Sequence, residues 1–442
     1  MMGALLSFRR STMRLNCRVL LFTWITVLAA VSASAQEAPL KTVLEDLFAD
    51  ITLQPPITGQ SHEAHFLPSE SGDLASLVFS RAVTSQLSGV PVGTSAGAFT
   101  YTFDASLGTF SRSSRSYGPS LAERAVTLGK GKGSVGFTYQ QSKFQTFEGK
   151  DLESGDIVFY LRHDDLPPDL FFEGDLIQER VALDLSTRTF TLFGSYGITD
   201  WIDVGVVIPI SSVDLEASLD QRVLRLATGD TGPNASIHLF PVNQPSRIVE
   251  ASASATGIGD VLMRSKFRLF NVGGGAVAAG LDVRLPTGDE DELLGTGTTQ
   301  VRVLGIVSRD VGLFSPHANI GFTAGDTDVA ANELSYAVGT EFTPVTPLTF
   351  SVDLLGRRVL EVSRFEERDV THSFRSSTNV PGTFTYSEFA PVEGSLNVGS
   401  GVFGVKYNPA RTFVVTFNLV VPFTDSGLTP GVTPIVGFDY SF

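Results

Sequence analysis

Cysteine is the first thing this 442-residue chain lacks. Its one cysteine, Cys17, lies in an opening stretch that reads as a removable export signal, so the remainder has neither thiol nor disulfide. A disulfide-stapled scaffold is excluded, and a large exported domain must be held by its sheet and its solvent. Long apolar runs are missing too. Beyond residue 35 no segment offers ~20 consecutive apolar residues, which excludes a spanning helix there. Positive charge is scarce: 32 Lys and Arg stand against 47 Asp and Glu, and the net charge is −15. Residues 1–35 carry four Arg and no acid, so their removal takes −15 to −19. That acidity argues against nucleic acid as a partner, and it cannot be spread over a lipid-facing wall. Signatures of chemistry are absent as well, with no GxSxG and no Walker-type loop. His62 and His65 flank Glu63 in a proline-rich stretch without other spaced ligands, a weak metal signal. The chain is therefore read as no enzyme, with no cofactor and no metal.

What is present begins with the signal itself. Arg9, Arg10, Arg14 and Arg18 form a basic start, Val19 to Val31 an apolar stretch, and Ala33-Ser34-Ala35 a small-residue exit, which predicts cleavage before Gln36. The apolar stretch is shorter than a helix needs to cross about 30 Å of hydrocarbon. Beyond it, Val43, Leu44, Leu47, Phe48 and Ile51 fall at helical spacing, and Leu74, Leu77, Val78 and Leu87 do so less regularly. Residues 36–97 are read as a hatch inserted in a lumen or as a periplasmic segment.

The chain as a whole is rich in Phe (33) and Gly (43), a composition that fits pleated, curved sheet. Alternation predicts strands at 133–147, 180–197, 201–218, 257–270, 274–288, 297–309, 313–325, 332–343, 347–360, 394–408, 411–424 and 430–442, with 99–110 and 156–163 as further candidates. Short turns at 198–200, 271–273, 310–312, 344–347 and 409–410 alternate with longer segments at 219–256, 288–297, 325–332 and 361–393. A barrel in the outer membrane has that rhythm, whereas a soluble sandwich has no reason to keep it. The fold expected is all-β: a transmembrane antiparallel β-barrel over 98–442, of 12 to 14 strands, with 14 preferred because 99–110 also alternates with aromatics.

Within the strands one face is apolar and the other polar. Val432, Pro434, Val436, Phe438, Tyr440 and Phe442 oppose Thr433, Gly437, Asp439 and Ser441, and Phe350, Val352 and Leu354 oppose Ser351 and Asp353. On the polar faces Arg264, Lys266 and Arg268 line up, followed by Asp282 and Arg284, then Arg302, while His317, Asp353 and Arg357 belong to the same lumen-lining set. This basic strip reads either as a charge ladder that rigidifies the lumen or as a field that draws anionic solutes. The acidic excess sits in loops such as 289–292 and 366–369, where divalent cations would bridge it to lipopolysaccharide or water would simply solvate it.

Several stretches carry a resemblance: FTYTFDASLGTFSRSS (99–114), ERAVTLGKGKGSVGFTYQ (123–140), GSYGITDWIDVGVVIPI (194–210), GIGDVLMRSKFRLF (257–270) and LDVRLPTGDEDELLGTG (281–297). They resemble the bacterial outer-membrane family of meta-pathway phenol-degradation proteins, a group similar to fatty-acid and toluene transporters. The resemblance implies an outer-membrane barrel for passive uptake of small hydrophobic or aromatic compounds, with or without a carboxylate. It assigns no binding residue. A structural or adhesive barrel acting through 361–393 is the alternative, and a lipid hydrolase is disfavoured for want of a placed Ser–His pair. The pattern of Gly437, Tyr440 and Phe442 looks like the signal that barrel-assembly machinery reads in outer-membrane proteins.

Overall fold

The computed structural model describes residues 38–49, 51–54, 66, 78, 81–82, 84–85, 100–104, 109–112, 114–163, 174–228, 238–325, 330–376, 378–410 and 412–442. The export signal expected at 1–35, His62, His65, Leu74, Leu77 and Leu87 lie outside these residues. Helix α1 (Leu40–Ala49) forms where the spacing of Val43, Leu44, Leu47 and Phe48 predicts one. Strands β1 (Tyr101–Asp104) and β2 (Thr109–Arg112) pair with each other and, among the described residues, with no other strand. Next come β3 (Gly133–Phe147), β4 (Lys150–Asp151), β5 (Ile157–Arg162), β6 (Leu176–Gly197) and β7 (Ile202–Leu224). β8 (Ser246–Ile258), β9 (Val261–Val272), β10 (Gly275–Leu285), β11 (Gln300–Arg309) and β12 (Phe314–Ala324) follow. The chain continues through β13 (Glu333–Val345), β14 (Leu348–Arg375), β15 (Pro381–Ala410), β16 (Phe413–Pro422), β17 (Leu428–Pro430) and β18 (Thr433–Ser441).

Twelve of these strands close a ring in the order β3, β18, β16, β15, β14, β13, β12, β11, β10, β9, β7, β6, and β6 returns to β3. Every neighbouring pair is antiparallel. The preferred count of 14 is corrected to 12. The candidate at 99–110 became the separate β1–β2 hairpin. The candidate at 156–163 became β5, six residues that pair with Leu176–Val181 of β6, above the level where the ring closes. Alternation identified extended chain there, but alternation says nothing about which neighbour a strand finds.

The lengths also differ from expectation. The segment at 361–393 is not a loop: β14 and β15 continue through it as a paired hairpin of 28 and 30 residues, with one bulge near Val359–Val362. Its charges led to a loop reading, yet Phe365, Tyr386 and Phe389 are buried on the inner side of the hairpin. Likewise β7 and β8 extend into both ends of 219–256 and pair there, Leu219–Arg222 with Ser246–Val249. The short turns stand where expected, so the barrel has a turn end and, opposite it, a tall rim built from β5 to β8 and the β14–β15 hairpin.

A belt of exposed apolar side chains surrounds the half nearer the turns. Phe137, Leu192, Val206, Met263, Ile320, Tyr336, Val352, Phe403 and Phe417 belong to it. Trp201, Tyr196, Tyr407 and Phe442 stand exposed at its turn-end margin, and Tyr440 packs on Phe413 there with centroids 4.9 Å apart. Along β6 the outward face changes from Leu192 and Phe190 to Arg188, Asp184 and Arg180, which marks the upper edge of the belt. A charged outward face is tolerable in water and costly in hydrocarbon. Above that edge the inner face is largely apolar. Leu40, Leu44, Leu47 and Phe48 of α1 pack with Phe159, Val181, Leu183, Val213, Leu215 and Phe365 into one buried cluster. Lys41 ties the helix to Glu290 and Asp291 of the β10–β11 connection, so some of that loop's acidity serves as an anchor.

Glu179 of β6, in the rim above the belt, is fully buried; it accepts a hydrogen bond from Gln221 Nε2 at 2.6 Å. Burial pushes its carboxyl up to about 7 from an ordinary 4.5, against the opposing pull of Gln221 and Arg247. A carboxyl raised in the folded state contributes its stability below the ordinary value and loses it as pH climbs through the folded value. Wild-type stability in urea is therefore expected to fall by about 3 kcal/mol between about pH 5 and about pH 8 through this group. Glu179→Gln should flatten that slope. Parallel pH profiles for the two proteins would reject the assignment.

Candidate functional site

The ring encloses a lumen, and the chain itself crosses it near the turn end. Residues 114–130 run across the inner half and are fastened to strands nearly all the way round. On β14, Asp353 accepts from Ser120 N at 3.1 Å, and Thr349 Oγ1 accepts from Tyr117 N. On β16, Asn418 Oδ1 accepts from Ser120 Oγ at 2.7 Å. From β15, Lys406 Nζ donates to the carbonyls of Tyr117 and Pro119, at 3.2 and 2.7 Å. On β12, Asn319 exchanges two bonds with the Glu123 backbone, and on β11 Ser308 Oγ accepts from Ala125 N. On β7, Asp203 accepts from Leu128 N at 3.0 Å. Ser120 passes so close to the wall that a Cβ on Gly404 of β15 would lie 1.9 Å from its Oγ, which only glycine permits.

Charge completes this fastening. Glu123 accepts from Arg264 Nη1 at 2.9 Å and sits 3.6 Å from Lys266 Nζ. Arg264 also forms a fork with Asp282, at 2.9 and 3.0 Å, and Arg302 Nε reaches the same Asp282 at 3.0 Å. Lys266 donates to the Arg124 carbonyl and lies 4.0 Å from Asp203. A charge removed from water is tolerable only when paired and hydrogen-bonded, and Arg264, Lys266, Glu123 and Asp282 meet both conditions. Of the two readings of the basic strip, this geometry answers to the charge ladder for Arg264, Lys266 and Arg302. The ladder also grips a chain segment.

The remaining candidates separate by role. His317 Nε2 lies 2.9 Å from Asp353 and its Nδ1 3.4 Å from Glu341, so both ring nitrogens face carboxylates and neither is left for a catalytic base. Arg268 donates to the Asp200 carbonyl at 2.7 Å and serves the turn between β6 and β7. Arg357 pairs with Glu333 at 3.4 Å, and Arg284 faces the lumen from β10. Tyr440 and Phe442 lie on the outer face at the seam where β18 meets β3, with Gly437 between Thr138 and Thr416 on either side. Glu123, Asp203, Lys406 and the whole crossing segment escaped the sequence reading. The crossing segment's signal was the run ERAVTLGKGKG (123–133), where an isolated Glu–Arg pair precedes closely spaced glycines; Asp203 and Lys406 gave none.

Between the crossing segment and the apolar cluster of the rim lies a cavity of about 280 Å³. Leu121, Ala122 and Glu123 form part of its lining, with Phe144, Leu262 and Leu304 as apolar wall and Arg284, Arg302 and Arg357 as polar wall. It is amphipathic, mid-lumen and screened on the turn side by a segment held through hydrogen bonds and ion pairs.

A scan against protein-family models and a search of curated proteins each found no match. Among solved structures, the chain is similar to an outer-membrane channel from Pseudomonas putida F1, at 10% identity over 72% of this chain and 98% of that one, with a TM-score of 0.42. A FadL homologue from Pseudomonas aeruginosa aligns at 10% identity over 80% and 97%, with a TM-score of 0.32. The toluene transporter TbuX of Ralstonia pickettii aligns at 11% identity over 71% and 90%, with a TM-score of 0.29. Likeness at this distance has no bearing on substrate, and the barrel is read from its own strand pairing.

Proposed function

We propose that this chain is an outer-membrane channel for passive uptake of small hydrophobic or aromatic compounds, with or without a carboxylate. The observation that carries the reading is the amphipathic cavity held inside a closed barrel that wears an exposed apolar belt. A belt of Phe, Val and Leu with aromatics at its margin suits lipid, and the acidic, taller end suits the aqueous outside. The turn end then faces the periplasm, and lipopolysaccharide surrounds the rim. A cavity with apolar walls and a few convergent polar groups is the usual form of a small-molecule site. The barrel-assembly machinery is the expected partner of the seam bearing Gly437, Tyr440 and Phe442.

The test is uptake of a compound panel by cells with and without the protein. Small aromatic hydrocarbons, phenols and aromatic acids are expected to enter several-fold faster when it is present, while sugars of similar size show no change. Equal entry of sugars and aromatics would indicate a general pore and overturn the selectivity. No change for any compound would overturn the channel reading.

A further inference from the structure

Seven charged side chains line the mid-lumen cavity, and six of them are matched to each other. Arg264 pairs with Glu123 and Asp282, Arg302 with Asp282, and Arg357 with Glu333. Arg284 is the seventh. The strand register explains why it is left over. Asp282 stands directly between Arg264 on β9 and Arg302 on β11, so each arginine finds its acid straight across the sheet. Two residues further along β10, the same inward position is Arg284, and its cross-strand neighbours are Leu262 and Gln300. Neither is an acid.

The carboxylates within electrostatic range of Arg284 are Asp260, Asp282 and Glu333, and each is engaged elsewhere. Asp260 accepts from Thr296 N and Oγ1, at 2.9 and 2.8 Å, and from Gly288 N at 3.1 Å, bonds that pin the LPTGD turn against the β8–β9 break. Asp282 is taken by Arg264 and Arg302, and Glu333 by Arg357. Among the described residues Arg284 thus has five guanidinium donors, no ion-pair partner, and a cavity in front of it. A guanidinium withdrawn from bulk water without an anion is costly, and a planar carboxylate matches its fork in two parallel bonds.

We propose that Arg284 is the anchor for the carboxylate of a small amphipathic acid, whose apolar body lies against the Leu262 and Leu304 side of the cavity. This rests on the channel reading for the solute's route, but the site itself is a matter of binding. Gln300, across the strand from Arg284, is placed to add an amide donor to the same anion. Neutral aromatics enter the same cavity and forgo the anchor.

The experiment uses the folded protein in phospholipid vesicles, with benzoate and its neutral amide, benzamide, as probes. Equilibrium dialysis reads binding and vesicle loading reads flux. Arg284→Gln is expected to weaken benzoate binding by about tenfold, the loss of one charge-assisted contact, and to leave benzamide unchanged. Arg284→Lys should recover most of the affinity, because the charge remains while the fork is lost. Arg268→Gln, whose side chain serves a turn, should bind benzoate like the wild type. Heat-modifiable migration on gels checks that each variant is folded. Equal benzoate binding by wild type and Arg284→Gln overturns the anchor, as does an equal loss for benzoate and benzamide. Saturable, Arg284-dependent binding without flux keeps the anchor and sinks the channel reading; flux of both probes that ignores Arg284 does the reverse.

Discussion

Tying Ser120 to Ser351 through a disulfide is expected to stop solute passage, and reducing it to restore passage. The two hydroxyls are in hydrogen-bond contact, one on the crossing segment and one on β14, which suits a double substitution to cysteine. Cys17 is the chain's one native cysteine, so a Cys17→Ser background leaves the engineered pair without a competing thiol. The segment 114–130 is bonded to β7, β9, β11, β12, β14, β15 and β16, and a solute leaving the cavity toward the turn end must displace some part of it. Locked, it should cut aromatic uptake to the level of cells without the protein. Glu123→Gln acts in the opposite direction. It leaves Lys266 with Asp203 at 4.0 Å as its nearest carboxylate and strips Arg264 of one of two acids. Breaking a buried pair from one side costs about 3–5 kcal/mol, enough to favour release of the segment. Single-channel conductance in planar bilayers should rise several-fold in Glu123→Gln. Unchanged uptake in the oxidised disulfide variant would mean that solutes leave by another route.

How much of this could be read in advance depended on the range of each interaction. The ring strands were legible because alternation is local: Phe350, Val352 and Leu354 announce an outward face whatever lies beside them. The turns were legible for the same reason. Helix α1 was visible in the spacing of Leu44, Leu47 and Phe48, but its packing against Phe159 and Phe365 was not, since those residues lie more than a hundred positions away. The long β14–β15 hairpin was hidden by its own chemistry. Above the belt its outward face is solvated, so Glu366, Glu367 and Asp369 look like loop residues although the backbone between them is fully paired. Of the basic strip, Arg264 and Lys266 are buried beside the crossing segment, whereas Arg268 serves a turn. The strip's meaning was not legible, because Glu123 supplies the opposing charge from 141 positions away in sequence. A ladder and an open field differ only in that partner, and a strand pattern cannot show it. Arg284 illustrates the converse: its neighbours across the sheet are strand-register facts, and register is fixed only once every hairpin is closed.

The seam between β18 and β3 separates closure of the barrel from its recognition by assembly machinery. Gly136 of β3 lies opposite Asp439 on one side and Phe193 of β6 on the other, at the point where the ring shuts. A Cβ there would stand 2.3 Å from the Phe438 carbonyl and 2.4 Å from the Phe193 ring, and a backbone oxygen in a ladder cannot move aside. Gly136→Val is therefore expected to abolish the folded, heat-modifiable band both in cells and on refolding into vesicles. Phe442 is bound differently. Its backbone exchanges two bonds of 2.9 Å with Gly133, while its side chain is 57% exposed and rests over Gly133 and against Tyr440. Phe442→Ser keeps both backbone bonds and loses about 2 kcal/mol of apolar cover, which a barrel of twelve paired strands should survive. If the aromatic is there to be recognised, Phe442→Ser should refold in vitro with near-normal yield and yet fall several-fold in the outer membrane of living cells. Failure in both settings would make Phe442 a packing residue. Normal assembly in both would remove the recognition role from Gly437, Tyr440 and Phe442 and leave closure at Gly136 as the seam's one requirement.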